Sequence, residues 1–167
     1  MYFFMYLSYI CNFISFFMLA IVATQISLPF LSFLFYFDQF SLGLLSIIVY
    51  LFTQTLIIFF FTGMGVNIRD YTKEKQLSDE LYQKTKKHKF LLFGPLLLNM
   101  GLMIAVFILG GAVQTKGFPA WIQGILFWLA LLHYFSILKK EHLCFSETVD
   151  IVLEMTKEER EKDIAKC

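Results

Sequence analysis

An all-α integral membrane four-helix bundle is the fold this sequence predicts, with helices that overrun the bilayer into a short stub. Three observations predict it. The first is composition: 167 residues with 58% hydrophobic and 16% charged side chains give a mean hydropathy of +0.67. A soluble domain of this size is nearer half apolar and a quarter charged. The second is clustering: Asp38 is the only acidic, basic or histidine side chain in residues 1–68. The third is length. A helix needs about 20 apolar residues to cross a hydrocarbon core of roughly 30 Å, and four stretches qualify, at about 3–26, 42–64, 90–111 and 119–138.

The first stretch, MYFFMYLSYICNFISFFMLAIVA, lacks a basic leader and a small-residue cleavage site. It therefore reads as a retained span and not as a signal peptide. The aromatic segment after it, SLPFLSFLFYFDQF, is too short to cross and suits the interface. Asp38 within it reads as a surface aspartate. The second span closes in FTGMGVNIRDYTKEK. Its Gly63-x-Gly65 lacks the third glycine and the Lys-Ser/Thr pair of a phosphate loop, and it ends an apolar run where such a loop should open a helix. It reads as the end of a span.

The third helix has Ser78 as a candidate N-cap, with Asp79 and Glu80 in its first turn and Gly110–Gly111 as its stop. Pro119 suits the first turn of the fourth helix. The fourth helix is expected to run past the membrane with Leu143, Val149, Val152 and Leu153 as its apolar stripe. A break is expected at the TKEE capping-box pattern, residues 156–159. The organisation is then a bundle over 1–138, including a helical hairpin at 65–89, and a helical tail over 139–167.

Orientation follows from the bases. Residues 68–90 carry seven Lys and Arg against four acids, whereas residues 112–118 carry only Lys116 and residues 27–41 none. The positive-inside rule puts both termini on the cytoplasmic side. Arg69, Lys84, Lys86, Lys87 and Lys89 read as contacts to lipid headgroups. The tail has six bases and eight acids. Its opposite balance favours packing on the hairpin, with Leu77, Leu81 and Tyr82 as apolar partners.

Inside the spans, Ser8, Asn12 and Ser15 form a polar stripe at helical spacing, as do Tyr50 and Gln54, and Asn99 lies one turn beyond Pro95. Pro95 removes a backbone hydrogen bond and marks a kink. Together with His133 these residues read as interhelical hydrogen bonds or as the lining of a polar cavity. Gly94, Gly101 and Ala105 on the third helix, and Ala120 and Gly124 on the fourth, read as close-packing positions. Antiparallel neighbours should bring Ala105 near Gly124. No carboxylate is expected deep in a span.

Cys11, Cys144 and Cys167 lack metal or disulfide spacing. No catalytic motif occurs, and no basic face suits nucleic acid. The expected partners are the bilayer and a homo-oligomer or larger membrane complex. No cofactor is expected, apart from a haem held by His133 and His88 as the lesser alternative. The leading function is that of a structural or assembly subunit. A pore or carrier for a small neutral or apolar solute comes second, and a haem- or quinone-binding anchor third.

Overall fold

The structure, a computed structural model, describes residues 2–27, 39–76 and 79–166. It contains four helices in chain order: α1 (Tyr2–Ser27), α2 (Gln39–Glu74), α3 (Asp79–Lys116) and α4 (Ala120–Lys166). Each holds a stretch long and apolar enough to cross a membrane: Phe3–Ser27, Phe40–Glu74, Glu80–Thr115 and Ala120–Lys157. The all-α four-helix bundle read from the sequence is the fold. The aromatic segment with Asp38, and the positions of Leu77, Ser78 and Cys167, lie outside the described residues.

The helices close a ring in which α1 packs on α2 and α4, and α3 on α2 and α4. Successive helices run antiparallel. The indole of Trp128 meets Ser27 at one end of the α1–α4 seam and Tyr9 meets His142 towards the other. Gly43 faces Val22 at one end of α1–α2, and Phe4 stacks on Phe60 at the other.

Three buried apolar layers are stacked along the bundle. The first joins Leu19, Val22, Tyr50, Met103, Phe127 and Tyr134. The second joins Ile57, Phe61, Leu92, Leu96, Ile137 and Phe145. The third joins Ile68, Leu81, Ile151 and Met155, so the end of α4 packs on the α2–α3 hairpin through Leu81. Ion pairs join the same segments. Lys75 Nζ lies 2.8 Å from Glu159, and Lys84 Nζ lies between Glu80 at 3.6 Å and Glu154 at 3.7 Å. The hydrogen bond from the Lys75 ammonium, together with one from the Tyr71 hydroxyl, holds the Glu159 carboxyl below the usual carboxylate range.

Two boundaries differ from the sequence expectation, each for a local reason. α3 does not stop at Gly110–Gly111. It runs to Lys116 and ends at Gly117, whose φ of 66° is the left-handed cap that glycine supplies. Gly110 serves packing instead, because a Cβ there would lie 2.6 Å from Gln123 Nε2 of α4. α4 does not break at Thr156. The Thr156 hydroxyl bonds back to the Val152 carbonyl at 2.9 Å within a continuous helix, and so caps nothing. Of the apolar stripe expected on the α4 extension, Val152 packs on the third layer and Val149 is half-buried. Leu143 and Leu153 are 50% and 51% exposed, while Cys144, Phe145, Ile151 and Met155 are buried. Pro95 lies inside α3 without ending it.

Candidate functional site

Polar side chains from all four helices meet inside the bundle in two linked sets. Asn12 of α1 is the hub of the larger. Its Nδ2 donates to Glu141 Oε2 at 2.6 Å. Its Oδ1 accepts from Gln54 Nε2 at 3.0 Å and from the Tyr134 hydroxyl at 2.8 Å. One asparagine thus ties α1 to α2 and twice to α4. The second set lies towards the first apolar layer. Asn99 Nδ2 of α3 donates to the Tyr50 hydroxyl at 2.7 Å, and Asn99 Oδ1 lies 3.1 Å from His133 Nδ1. The rings of Tyr50 and Tyr134 meet edge to face at 5.0 Å and join the two sets. Ser15 and Thr53 add a contact of 3.2 Å between α1 and α2. Ser8 is buried on the same stripe of α1.

Glu141, which the sequence reading places in the tail beyond the fourth span, is a carboxylate buried within the bundle. It is 1% exposed. Two lysines precede it, so it read as the start of a polar tail. The signal lies in spacing: Phe127, Ala130, Tyr134, Ile137, Glu141, Phe145, Thr148, Ile151 and Met155 are all buried and recur three or four residues apart along α4. Glu141 falls on this inward face, whereas Lys139 turns outward to lie 4.8 Å from the Phe135 ring centroid.

Beyond Glu141, Tyr9 Oη lies 2.7 Å from Nδ1 of the exposed His142. His88 Nδ1 lies 2.7 Å from Glu147, and the buried thiol of Cys144 faces the His88 carbonyl at 3.9 Å. The two histidines named as candidate haem ligands have different neighbours, His88 beside Glu147 and His133 beside Asn99. Among the described residues no cluster of three or more His, Cys, Asp or Glu side chains is placed to hold a metal ion.

A separate cavity of about 290 Å³ opens between the four helices on the far side of the first apolar layer. Val22 and Gln25 of α1, Gly43 of α2, Val106 of α3, and Gln123 and Phe127 of α4 are among its walls. Its lining is mainly apolar, with Gln25, Gln114 and Gln123 as the amide side chains. Gln25 is 3% exposed and its Oε1 meets no donor. None of Ser8, Asn12, Ser15, Tyr50, Gln54, Asn99 or His133 lines this cavity. Asn12, Ser15, Tyr50, Gln54, Asn99 and His133 bond within the two sets, and the open space lies beside them.

The small residues divide differently from the sequence reading. Gly124 is buried, but a Cβ there would meet Ile26 and Ser27 of α1 and no atom of Ala105 within 4 Å. Gly94 and Gly101 are exposed, with nothing within 4 Å of an added Cβ. They face away from the bundle, because the inward side of α3 is taken by Leu92, Leu96, Asn99 and Met103. Ala120 lines the cavity. At the charged end, Arg69 bonds its neighbour Asp70, Lys89 lies 5.2 Å from the Phe93 ring centroid, and Lys86 and Lys87 are exposed. The chain matches no protein-family model, no curated protein and no solved structure.

Proposed function

We propose that this chain is a membrane-embedded binding protein or carrier for a small, neutral, largely apolar molecule that bears a hydrogen-bond donor. The carrying observation is the cavity walled by all four helices, with the unpartnered Gln25 carbonyl in its apolar lining. A buried acceptor without a donor is unfavourable, and a guest that supplies one relieves it. The guest class follows from the lining: an aliphatic body against Val22, Val106 and Phe127, and an N–H or O–H at Gln25.

Photolabelling tests this reading. A diazirine-bearing long-chain primary amide, added to the protein in lipid nanodiscs, labels peptides containing Val106 and Gln123 saturably. The corresponding methyl ester, which lacks a donor, competes about tenfold less well, as expected for one lost buried hydrogen bond. Val113→Trp, which adds bulk to the wall, suppresses the labelling. Labelling that is unsaturable, or equal on the outward-facing peptide around Leu97 and Leu98, overturns it.

A second reading, a structural subunit that assembles with itself or a larger membrane partner, is favoured by the outward-facing Gly94 and Gly101. Their lack of side chains leaves a shallow concavity on α3 in which another helix can approach closely. Both readings carry the orientation that the lysines imply, with the hairpin and both termini in the cytoplasm and Lys86 and Lys87 at the anionic headgroups. In a background without native cysteines, Lys86→Cys and Thr115→Cys are expected to react with an impermeant maleimide from opposite faces of sealed vesicles. Reaction from one face contradicts the topology.

A further inference from the structure

Glu141 occupies a position where a carboxylate has no counter-charge. Oε2 accepts one hydrogen bond from Asn12 and Oε1 meets no donor. Gln54, bonded to the same asparagine, likewise has an Oε1 without a donor. Two acceptor oxygens on either side of Asn12 therefore lack a hydrogen. Among the described residues no Lys, Arg or His nitrogen forms an ion pair with Glu141.

The titratable and charged groups around it are already engaged or differently directed. α1 presents Tyr9, which is bonded to His142, and α2 presents Tyr50, which is bonded to Asn99. From α3, His88 is taken by Glu147. On α4 itself, Tyr134 bonds Asn12, Cys144 faces the His88 carbonyl and Lys140 is half-buried beside it in the chain. An ionised carboxylate inside a bundle without a cation is strongly disfavoured, and a hydrogen on Oε1 removes the charge.

We propose that Glu141 is a proton-binding site inside the bundle, protonated when α1 and α4 are closed on each other. Release of the proton leaves the carboxylate, loosens the α1–α4 seam and so alters the cavity that α1 walls. The reaction is a simple dissociation: the O–H bond breaks, its electron pair stays on Oε1, and the proton passes to water at the charged end, where the neighbouring His142 is exposed. The seam is suited to this because it is the thinnest of the four helix interfaces. It also carries both the Asn12–Glu141 bond and, further along α1, the Gln25 wall of the cavity. The effect on the cavity rests on the proposed binding function; the proton site itself does not.

Difference infrared spectroscopy of the full chain in nanodiscs tests the proposal. Wild type at neutral pH shows the carbonyl stretch of a protonated carboxyl in a dry site, and the band disappears on alkaline titration. Glu141→Gln, an isostere of the neutral acid that keeps the acceptor for Asn12, lacks the band and folds normally. Glu141→Asp is the second variant and shifts the band without abolishing it. Spin labels at the exposed positions Ile10 and Leu143 read the seam in a background without native cysteines. Their separation is expected to lengthen as the wild-type band disappears and to stay fixed in Glu141→Gln.

Identical wild-type and Glu141→Gln spectra at neutral pH overturn the proton site. A carboxylate band that responds to replacing sodium by choline also overturns it, in favour of a metal cation. A band that titrates while the spin-label distance stays fixed overturns the coupling to the seam. If photolabelling of the cavity fails while the infrared result holds, the binding reading falls alone.

Discussion

Replacing Asn12 by alanine is expected to be among the most destabilising single changes in the chain. The side chain donates to Glu141 and accepts from Gln54 and Tyr134, all in the interior. An interhelical hydrogen bond inside a membrane protein averages only about 0.6 kcal/mol, with a maximum near 1.7. Losing three at once would by that measure cost roughly 2 kcal/mol. A further contribution comes from what remains: three buried polar partners without this bond, one of them a carboxyl group. A total of about 3–4 kcal/mol is expected, read as a lower unfolding midpoint in mixed micelles. Asn12→Ser should recover little, because a hydroxyl is too short to reach all three partners. A loss under about 0.5 kcal/mol would mean that the hub does not hold the helices together.

Phe145→Ala is expected to cost a similar amount, by packing and not by polarity. The ring is 1% exposed. It meets Tyr9 of α1 at 5.9 Å, and Phe60 and Phe61 of α2 at 5.3 and 4.8 Å between centroids. Truncating such a phenylalanine leaves a void that three helices cannot easily fill, for about 3–5 kcal/mol. The same truncation at Leu143, half exposed on the outer side of α4, should cost under about 1 kcal/mol. The contrast is informative because the two residues are near neighbours beyond the lysines. Equal small losses would place this part of α4 outside the packed bundle.

The fold was legible because its cause is coarse. Long apolar runs separated by charged turns can satisfy their backbone groups in lipid only as helices. The polar stripes of α1 and α2 were legible for a similar reason, since Asn12, Ser15 and Gln54 are few and recur at helical spacing. What the stripes touch was less legible. An asparagine carries no mark that distinguishes a cavity wall from a hub, and the partner that decides it, Glu141, is 129 residues away.

Glu141 was hidden by its neighbours. Two preceding lysines signal a membrane boundary, yet a helix turns about 100° per residue, so one position can be buried while the next two face outward. Gly110 and Thr156 misled for the opposite reason. Each has a well-known local role, as a stop and as a cap. Each is used here for contacts that only tertiary structure supplies: Gln123 over Gly110, and a helix that continues past Thr156. Gln25 carries no mark in the sequence, because a cavity between four helices is not a property of any one of them.

The central claim is that α4 carries Glu141 into the interior to meet Asn12 of α1. A double-mutant cycle on unfolding free energy, built from Asn12→Ala, Glu141→Leu and the pair, tests it most directly. The structure predicts a coupling of about 1–2 kcal/mol, with the double variant less destabilised than the sum of the singles. Additivity within about 0.3 kcal/mol would show that the two side chains do not meet.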